Sequence, residues 1–452
     1  MEQPVAGRAP TWAHRGVLAA LAAAAGVLYS WNAAGNLEIF YAAAVRSMSG
    51  SWHDFFFAAF DPKGTISIDK LPGSFWVQAL SVRLFGVHPW ALVAPQVVEG
   101  MATVLVVHRV AARTIGSGWA LIAAALMVAD PAVVALDRGN ISDTLMILLL
   151  LLAANATVSA ILSGRLRHLL LAGLWVGLAF QAKMIEAWLV LPALGLAYLV
   201  ASSERRPVQT LRLALAGAVT VVVSLSWMTV VTLLPASSRP YVDGSSNNSL
   251  YSQVFVYNGF GRTDTATPNQ ILSRTIGLKL PTAPVAWDRL LSGPDGRVGA
   301  WLLPAAVVAI AATLVLDRDR RSVRYGATVM WGTWLVILFA AFTLGQSINS
   351  YYTAALIPPA ALLIATGARL TWLHRHRPGA RIGAGLATVA TAAYALWLMP
   401  AHGVGRSLVF PLIALVVAVA GAALLYTAGR LQPVGLAGCL LAVSVVPLAA
   451  SL

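Results

Sequence analysis

Residues 137–154 read DRGNISDTLMILLLLLAA. Asp137, Arg138 and Asp143 surround a turn-forming Gly-Asn pair, and an unbroken apolar run follows. An apolar helix of about 20 residues crosses a hydrocarbon layer of ~30 Å, so this stretch reads as a polar mouth opening onto a membrane span. Similar runs of roughly 18 to 22 residues recur along the chain. Of its 452 residues 58% are hydrophobic and only 11% are charged, where a soluble domain carries about 25% charge. A soluble enzyme is excluded, and the class is an all-α polytopic membrane protein. Spans are expected near 14–31, 89–112, 118–136, 143–162, 168–183, 186–202, 211–233, 299–316, 325–344, 350–370, 381–400, 408–428 and 433–451, about thirteen in one domain over 1–452. The first is read as a retained helix, because no small-residue cleavage site follows it.

The net charge of +14 lies mostly in short loops, among them Arg109 and Arg113, Arg318 to Arg324, and Arg375 to Arg381. These loops alternate with arginine-poor ones. Under the positive-inside bias the basic loops face the cytoplasm, with the N-terminus inside and the C-terminus outside, and no nucleic-acid partner is needed. The lone Cys439 excludes a disulfide framework and a thiolate cluster. Two extracytoplasmic segments, 32–88 and 235–298, are too long and polar to be simple connectors. The first mixes charges with apolar stretches such as FFFAAF, which suggests short amphipathic helices lying on the bilayer. The second contains RPYVDGSSNNSLYSQVFVYNGFGR, a composition suited to turns and to hydrogen bonding with a sugar. No soluble domain is expected after the last span.

A charge at the bilayer centre costs about 2.5 to 3.5 kcal/mol on insertion scales, so ionisable groups in or beside spans need a reason. Glu99 and Asp130 are expected to pair with a neighbouring helix. Asp143 lies about one turn inside its span, while Lys183 and Glu186 occupy a brief outer turn. By this topology all four lysines, Lys63, Lys70, Lys183 and Lys279, fall on the outer side. That arrangement suits an outward-facing cleft where cations meet a phosphate and carboxylates meet hydroxyls. No P-loop, dinucleotide fingerprint, zinc-protease motif or nucleophile elbow occurs. The histidines are scattered, so no metal site is expected and no cofactor is called for, although a divalent cation beside the carboxylates stays open. A group-transfer enzyme without cytosolic nucleotide machinery would take its donor from the membrane, and a polyprenyl phosphate fits.

The order of motifs is more telling than any one of them: an acidic residue with YAAAVRSM (41–48), FDPKGTISIDKLPGSFWVQALSVRLFG (60–86), APQVVEG (94–100), residues 137–154, AFQAKMIEAWLVLP (179–192), YVDGSSNN, YNGFGR and SINSYYTAALIPPAA. This order resembles bacterial GT-C glycosyltransferases of the protein O-mannosyltransferase-like superfamily, nearest to an actinobacterial and firmicute branch related to the lipid A aminoarabinose transferases. The resemblance implies a GT-C fold with two surface helices in the first outer loop. It also implies inverting transfer of a monosaccharide from a polyprenyl-phosphate sugar to a hydroxyl of a glycan, lipid or protein, at the outer face of the plasma membrane. Matched motif by motif, it implies Glu38 as the acidic base, Asp69 and Lys70 near the lipid phosphate, Arg138 and Asp143 as an Arg-x-x-x-x-Asp element, and Tyr351 and Tyr352 as a pair approaching the donor. The usual Asp-Glu pair here reads Leu37-Glu38, so Asp69 and Asp61 compete with Glu38 as base, and Lys-Pro-Pro reads Lys70-Leu71-Pro72. Lys70, Lys183 and Arg138 are the expected phosphate stabilisers, with Asp143 orienting the acceptor or partnering a cation. Two other classes compete: a transporter or lipid flippase, and a catalytically silent scaffold.

Overall fold

The computed structural model describes residues 11–263, 286–345, 348–398, 409–427 and 431–451. The expected Lys279 lies outside them. Among the described residues eight helices are long and apolar enough to cross a membrane, or nine if one bent pair counts as a span, and three shorter apolar helices accompany them. The fold class agrees with the sequence, while this count is smaller than the expected thirteen. Two local features account for part of the gap.

The first is α5 (Ser117–Ala129) followed by α6 (Pro131–Asp137), bent by 62°. Pro131 brings no N–H to the helix ladder, and Asp130 turns the corner by accepting from the backbone N–H of Ala132 at 2.9 Å and Val133 at 3.4 Å. Asp130 is therefore a helix cap, correcting the expected ion pair with a neighbouring helix. The second is the 36-residue apolar stretch Leu166–Ala201. Its first part, α8 (Leu166–Lys183), ends where Met184 takes φ 57°, and a 3-10 turn over Met184–Val190 leads into α9 (Leu191–Ala201). Just beyond α9, Arg212 donates to the Gly164 carbonyl at 2.8 Å and to the Tyr198 hydroxyl at 3.4 Å. Residues 198–212 thus return to the level at which α8 began.

Close crossings are made by small residues, as expected where lipid removes most of the hydrophobic drive between helices. Gly173 and Gly177 of α8 form a small-xxx-small face against α10 (Arg206–Leu233). A Cβ at Gly173 would lie 2.3 Å from the Ala216 carbonyl oxygen, and one at Gly177 would lie 2.6 Å from the Val223 Cβ. Nearest the centre runs Ser350–Leu373, a 3-10 turn continuing into α11 (Ile357–Leu373), 94% buried over its apolar window. Trp331 and Trp334 of α12 (Val323–Leu344) are almost wholly enclosed in the core that includes its residues.

The first polar segment, 32–88, holds three helices rather than the two the resemblance implies: α2 (Ile39–Gly50), α3 (Trp52–Phe57) and α4 (Gly73–Phe85), with α1 (Trp12–Ser30) before them and the long α-helix Pro89–Ile115 after. Tyr41, Phe75 and Ile68 form a small core of their own there. The second polar segment is stitched onto the first by two backbone bonds, from the Ser67 N–H to the Tyr241 carbonyl at 2.8 Å and from the Tyr241 N–H to the Thr65 carbonyl at 2.9 Å. The N-terminus of α4 meets α8 at Gly73, where a Cβ would sit 2.6 Å from the Gln181 backbone. Glycine lets the loop carrying Asp69 and Lys70 lie beside the end of α8 carrying Lys183.

Candidate functional site

The centre of the site is an ion pair between Lys183 Nζ, at the end of α8, and Asp143 Oδ2, at 2.5 Å. Asp143 opens the helix α7 (Asp143–Ser163), and both side chains are almost fully enclosed. The ammonium also faces two rings, 4.5 Å from the centre of Tyr352 and 5.1 Å from that of Tyr351. The other carboxylate oxygen of Asp143 is buried with no hydrogen-bond partner among the described residues. A buried lone acceptor costs about 1 to 3 kcal/mol if nothing satisfies it.

A second pair lies alongside. Lys70 Nζ contacts Asp69 Oδ2 at 3.0 Å and donates to Asn258 Oδ1 at 3.1 Å. Asn258 in turn donates to the Asp69 carbonyl at 2.7 Å, and Gln253 donates to the carbonyls of Ile68 and Asp243, each at 2.8 Å. The second polar segment thereby fixes the backbone and the ammonium of the first. Tyr41 joins the two pairs. Its hydroxyl donates to Asp69 Oδ1 at 3.4 Å, and its ring stacks on Phe75 at 4.8 Å between centres. Burial pushes the Tyr41 phenol well above the usual tyrosine range, and the nearby Asp69, Tyr351, Tyr352 and Asp143 push it further. A phenol that stays protonated is a permanent donor toward the carboxylates around it.

The remaining candidates are placed differently. Glu38 stands at the start of α2, where the Asn140 side chain holds its backbone from both sides, accepting from the Glu38 N–H at 2.7 Å and donating to its carbonyl at 3.2 Å. Its own side chain is exposed. Asn140 is fully buried and lies three residues before Asp143, so Glu38 is tied to the same polar mouth. Asp61 closes its own turn. It accepts from the Thr65 hydroxyl at 2.7 Å and from the backbone N–H groups of Lys63, Thr65 and Ile66 at 2.9 to 3.1 Å. Slight desolvation pulls its carboxyl upward, but the Thr65 hydroxyl and the three N–H groups outweigh that and hold it below the usual aspartate range. Arg138 donates from Nε to the Leu28 carbonyl at 2.8 Å and so reaches toward α1.

Asp243 was not among the candidates, yet burial raises its carboxyl, the Gly244 N–H at 2.8 Å opposes this, and Asp69 raises it again. Tyr41 and Asn258 were also missed as site residues, although they stand in the quoted stretches YAAAVRSM and YNGFGR. Among the described residues no group of three His, Cys, Asp or Glu side chains could hold a metal ion.

A helical membrane bundle with its polar groups gathered at one end, between two docked loops, is the architecture of the GT-C class. Residues 69–229 match the profile of the dolichyl-phosphate-mannose-protein mannosyltransferase family. The "Putative mannosyltransferase YkcB" of Bacillus subtilis (strain 168) is 31% identical over 84% of this chain, which spans 66% of that relative's length. Among solved structures, ArnT from Cupriavidus metallidurans bound to undecaprenyl phosphate superposes with a TM-score of 0.57 at 19% identity, over 96% of this chain and 77% of ArnT. The arabinosyltransferase EmbB from Mycobacterium smegmatis gives 0.55 at 14% identity, over 98% of this chain and 42% of EmbB. The chain has the GT-C fold of these structures, and over residues 69–229 it is similar to the mannosyltransferase family.

Proposed function

We propose that this protein is an inverting glycosyltransferase that moves a monosaccharide from a polyprenyl-phosphate donor to an acceptor hydroxyl at the extracytoplasmic face of the plasma membrane. The observation that carries the reading is the enclosed Lys183–Asp143 pair under Tyr351 and Tyr352, joined through Tyr41 to Asp69 and Lys70. Two buried ammonium groups, Lys70 and Lys183, suit a phosphate that gains charge as it leaves. The acceptor oxygen bonds to the anomeric carbon from the face opposite the phosphate. The carbon–oxygen bond to phosphate breaks, its electron pair leaves with the phosphate, and the hydroxyl proton passes to a carboxylate. No general acid is required, because the leaving group, a polyprenyl phosphate monoester, departs as an anion.

Of the three candidate bases, Glu38 suits the role best. Its backbone is held from both sides by Asn140, and its carboxylate has no partner among the described residues. Asp69 is engaged by Lys70 and Tyr41, and Asp61 by its own turn. Lys70 and Lys183 are the phosphate partners in this reading, and Arg138 supports the mouth from the α1 side. Asp143, with one oxygen unsatisfied, orients the acceptor. A transporter or flippase would need polar groups at both mouths, and the opposite end is dominated by arginine.

The test is transfer of radiolabelled sugar from polyprenyl-phosphate mannose, arabinose, galactose or glucose by purified protein in proteoliposomes, analysed in the extracted glycan, lipid and protein fractions. Transfer that Glu38→Gln reduces by about 10²-fold or more supports the reading. Wild-type protein that moves none of these sugars, but scrambles the labelled lipid between leaflets, overturns it in favour of a flippase.

A further inference from the structure

At the far end of α11 from Tyr351 lies a second feature. α11, α13 (Leu303–Leu316), α14 (Pro378–Leu398) and α15 (Gln432–Ser451) wall a cavity of about 570 Å³. Its lining is small and apolar, including Ala309, Gly367, Ala368, Gly383 and Cys439, and the exposed Val315 marks its open side. Water does not stabilise such a space, since a buried water needs two to four polar partners. Left empty, the walls forfeit their dispersion contacts. In a bilayer the apolar filler at hand is a lipid chain.

The mouth says which lipid. Arg377 lines the cavity, and its exposed guanidinium has no hydrogen bond or ion pair among the described residues. It immediately precedes α14, so the positive end of that helix dipole lies beside it. Of its neighbours, Arg375 donates to the Trp372 carbonyl at 2.9 Å and stacks on its ring, and Arg381 lies over Tyr426, so Arg377 is the arginine of this loop that lines the cavity. The two loops at this end, 317–324 and 374–381, hold seven arginines against Asp317 and Asp319. Asp317 is neutralised by two 2.7 Å bonds from Arg324.

We infer that this cavity is a lipid site distinct from the Lys183 pocket, taking one acyl chain of an anionic glycerophospholipid with its phosphate on Arg377. The inference is independent of the proposed reaction. Full-length protein in detergent, delipidated and then exposed to phosphatidylglycerol or phosphatidylcholine of the same chains, is weighed by native mass spectrometry. Wild type retains phosphatidylglycerol in preference to phosphatidylcholine. Arg377→Gln weakens retention of the anionic lipid by about tenfold, the scale of one charge-assisted contact, and leaves phosphatidylcholine unchanged. Gly383→Leu fills the cavity and removes one bound lipid; a Cβ there meets no atom within 4 Å, so the helix accepts it. Equal retention of both lipids by wild type, undiminished phosphatidylglycerol on Gly383→Leu, or displacement only by a polyprenyl phosphate overturns the inference.

Discussion

The two lysine–aspartate pairs use the same chemistry in opposite settings. Lys183 and Asp143 come from two helices, 40 residues apart in sequence, and their side chains are 4% and 1% exposed. Lys70 and Asp69 are chain neighbours on a loop at 5% and 15%, and they owe their placement to Asn258. The helix-borne pair is part of the packing. The loop-borne pair is held by hydrogen bonds that can be cut without opening the bundle. A buried pair broken at one partner leaves an uncompensated charge; Asp143 at 1% would be left so, whereas Asp69 at 15% can be rehydrated.

This contrast can be broken most forcefully at Lys183. Lys183→Met leaves Asp143 buried and unpaired, and stability is expected to fall by about 3 to 5 kcal/mol, read as an early thermal transition of the detergent-purified protein. The double variant Lys183→Met with Asp143→Leu should recover most of that loss while sugar transfer stays abolished. Recovery of transfer would mean that the pair is only structural. Lys70→Ala should act the other way, lowering turnover by about 10²- to 10³-fold with a thermal transition close to wild type. Wild-type transfer by this variant in proteoliposomes would remove Lys70 from phosphate binding.

Smaller effects sharpen the same comparison. Asn258→Leu unties the two polar segments, and about 1 to 3 kcal/mol of local protection should be lost, seen as faster proteolysis or amide exchange over 235–263 with the spans unaffected. Asp243 has a carboxyl raised by burial, so the folded protein binds its proton more readily than the unfolded chain and stability declines as pH rises above the normal aspartate value. Asp243→Asn should therefore raise the thermal transition slightly at pH 7, and the difference should vanish near pH 4. A difference that persisted there would assign the effect to something other than titration.

The helical class and the polar mouth at 137–143 were legible because hydropathy and buried charge are local signals. Asp143 and Lys183 stood out singly, each a charge that an apolar run does not tolerate without reason. That they meet each other depends on how α7 and α8 pack, which no single segment encodes. The bend at Pro131 was readable in principle from Asp-Pro, and Gly173 with Gly177 from their spacing. The docking of 235–263 onto 59–70 was not, because isolated bridges at Ile66 and Tyr241 have no periodicity to announce them. Tyr41 is similar: its residue type is ordinary, and only Asp69 on one side and Tyr352 on the other make it part of the site.

The stitch between the two polar segments also orders events in time. Lys70 leaves the ribosome long before Asn258, its partner 188 residues later. At about 5 to 20 residues per second the interval is on the order of ten to forty seconds. During it the early helices can insert while the loop that presents Lys70 stays unlatched. Chains halted before residue 241 should be membrane-embedded and helical yet unable to assemble the pocket, so maturation of this protein is gated by a late, long-range closure.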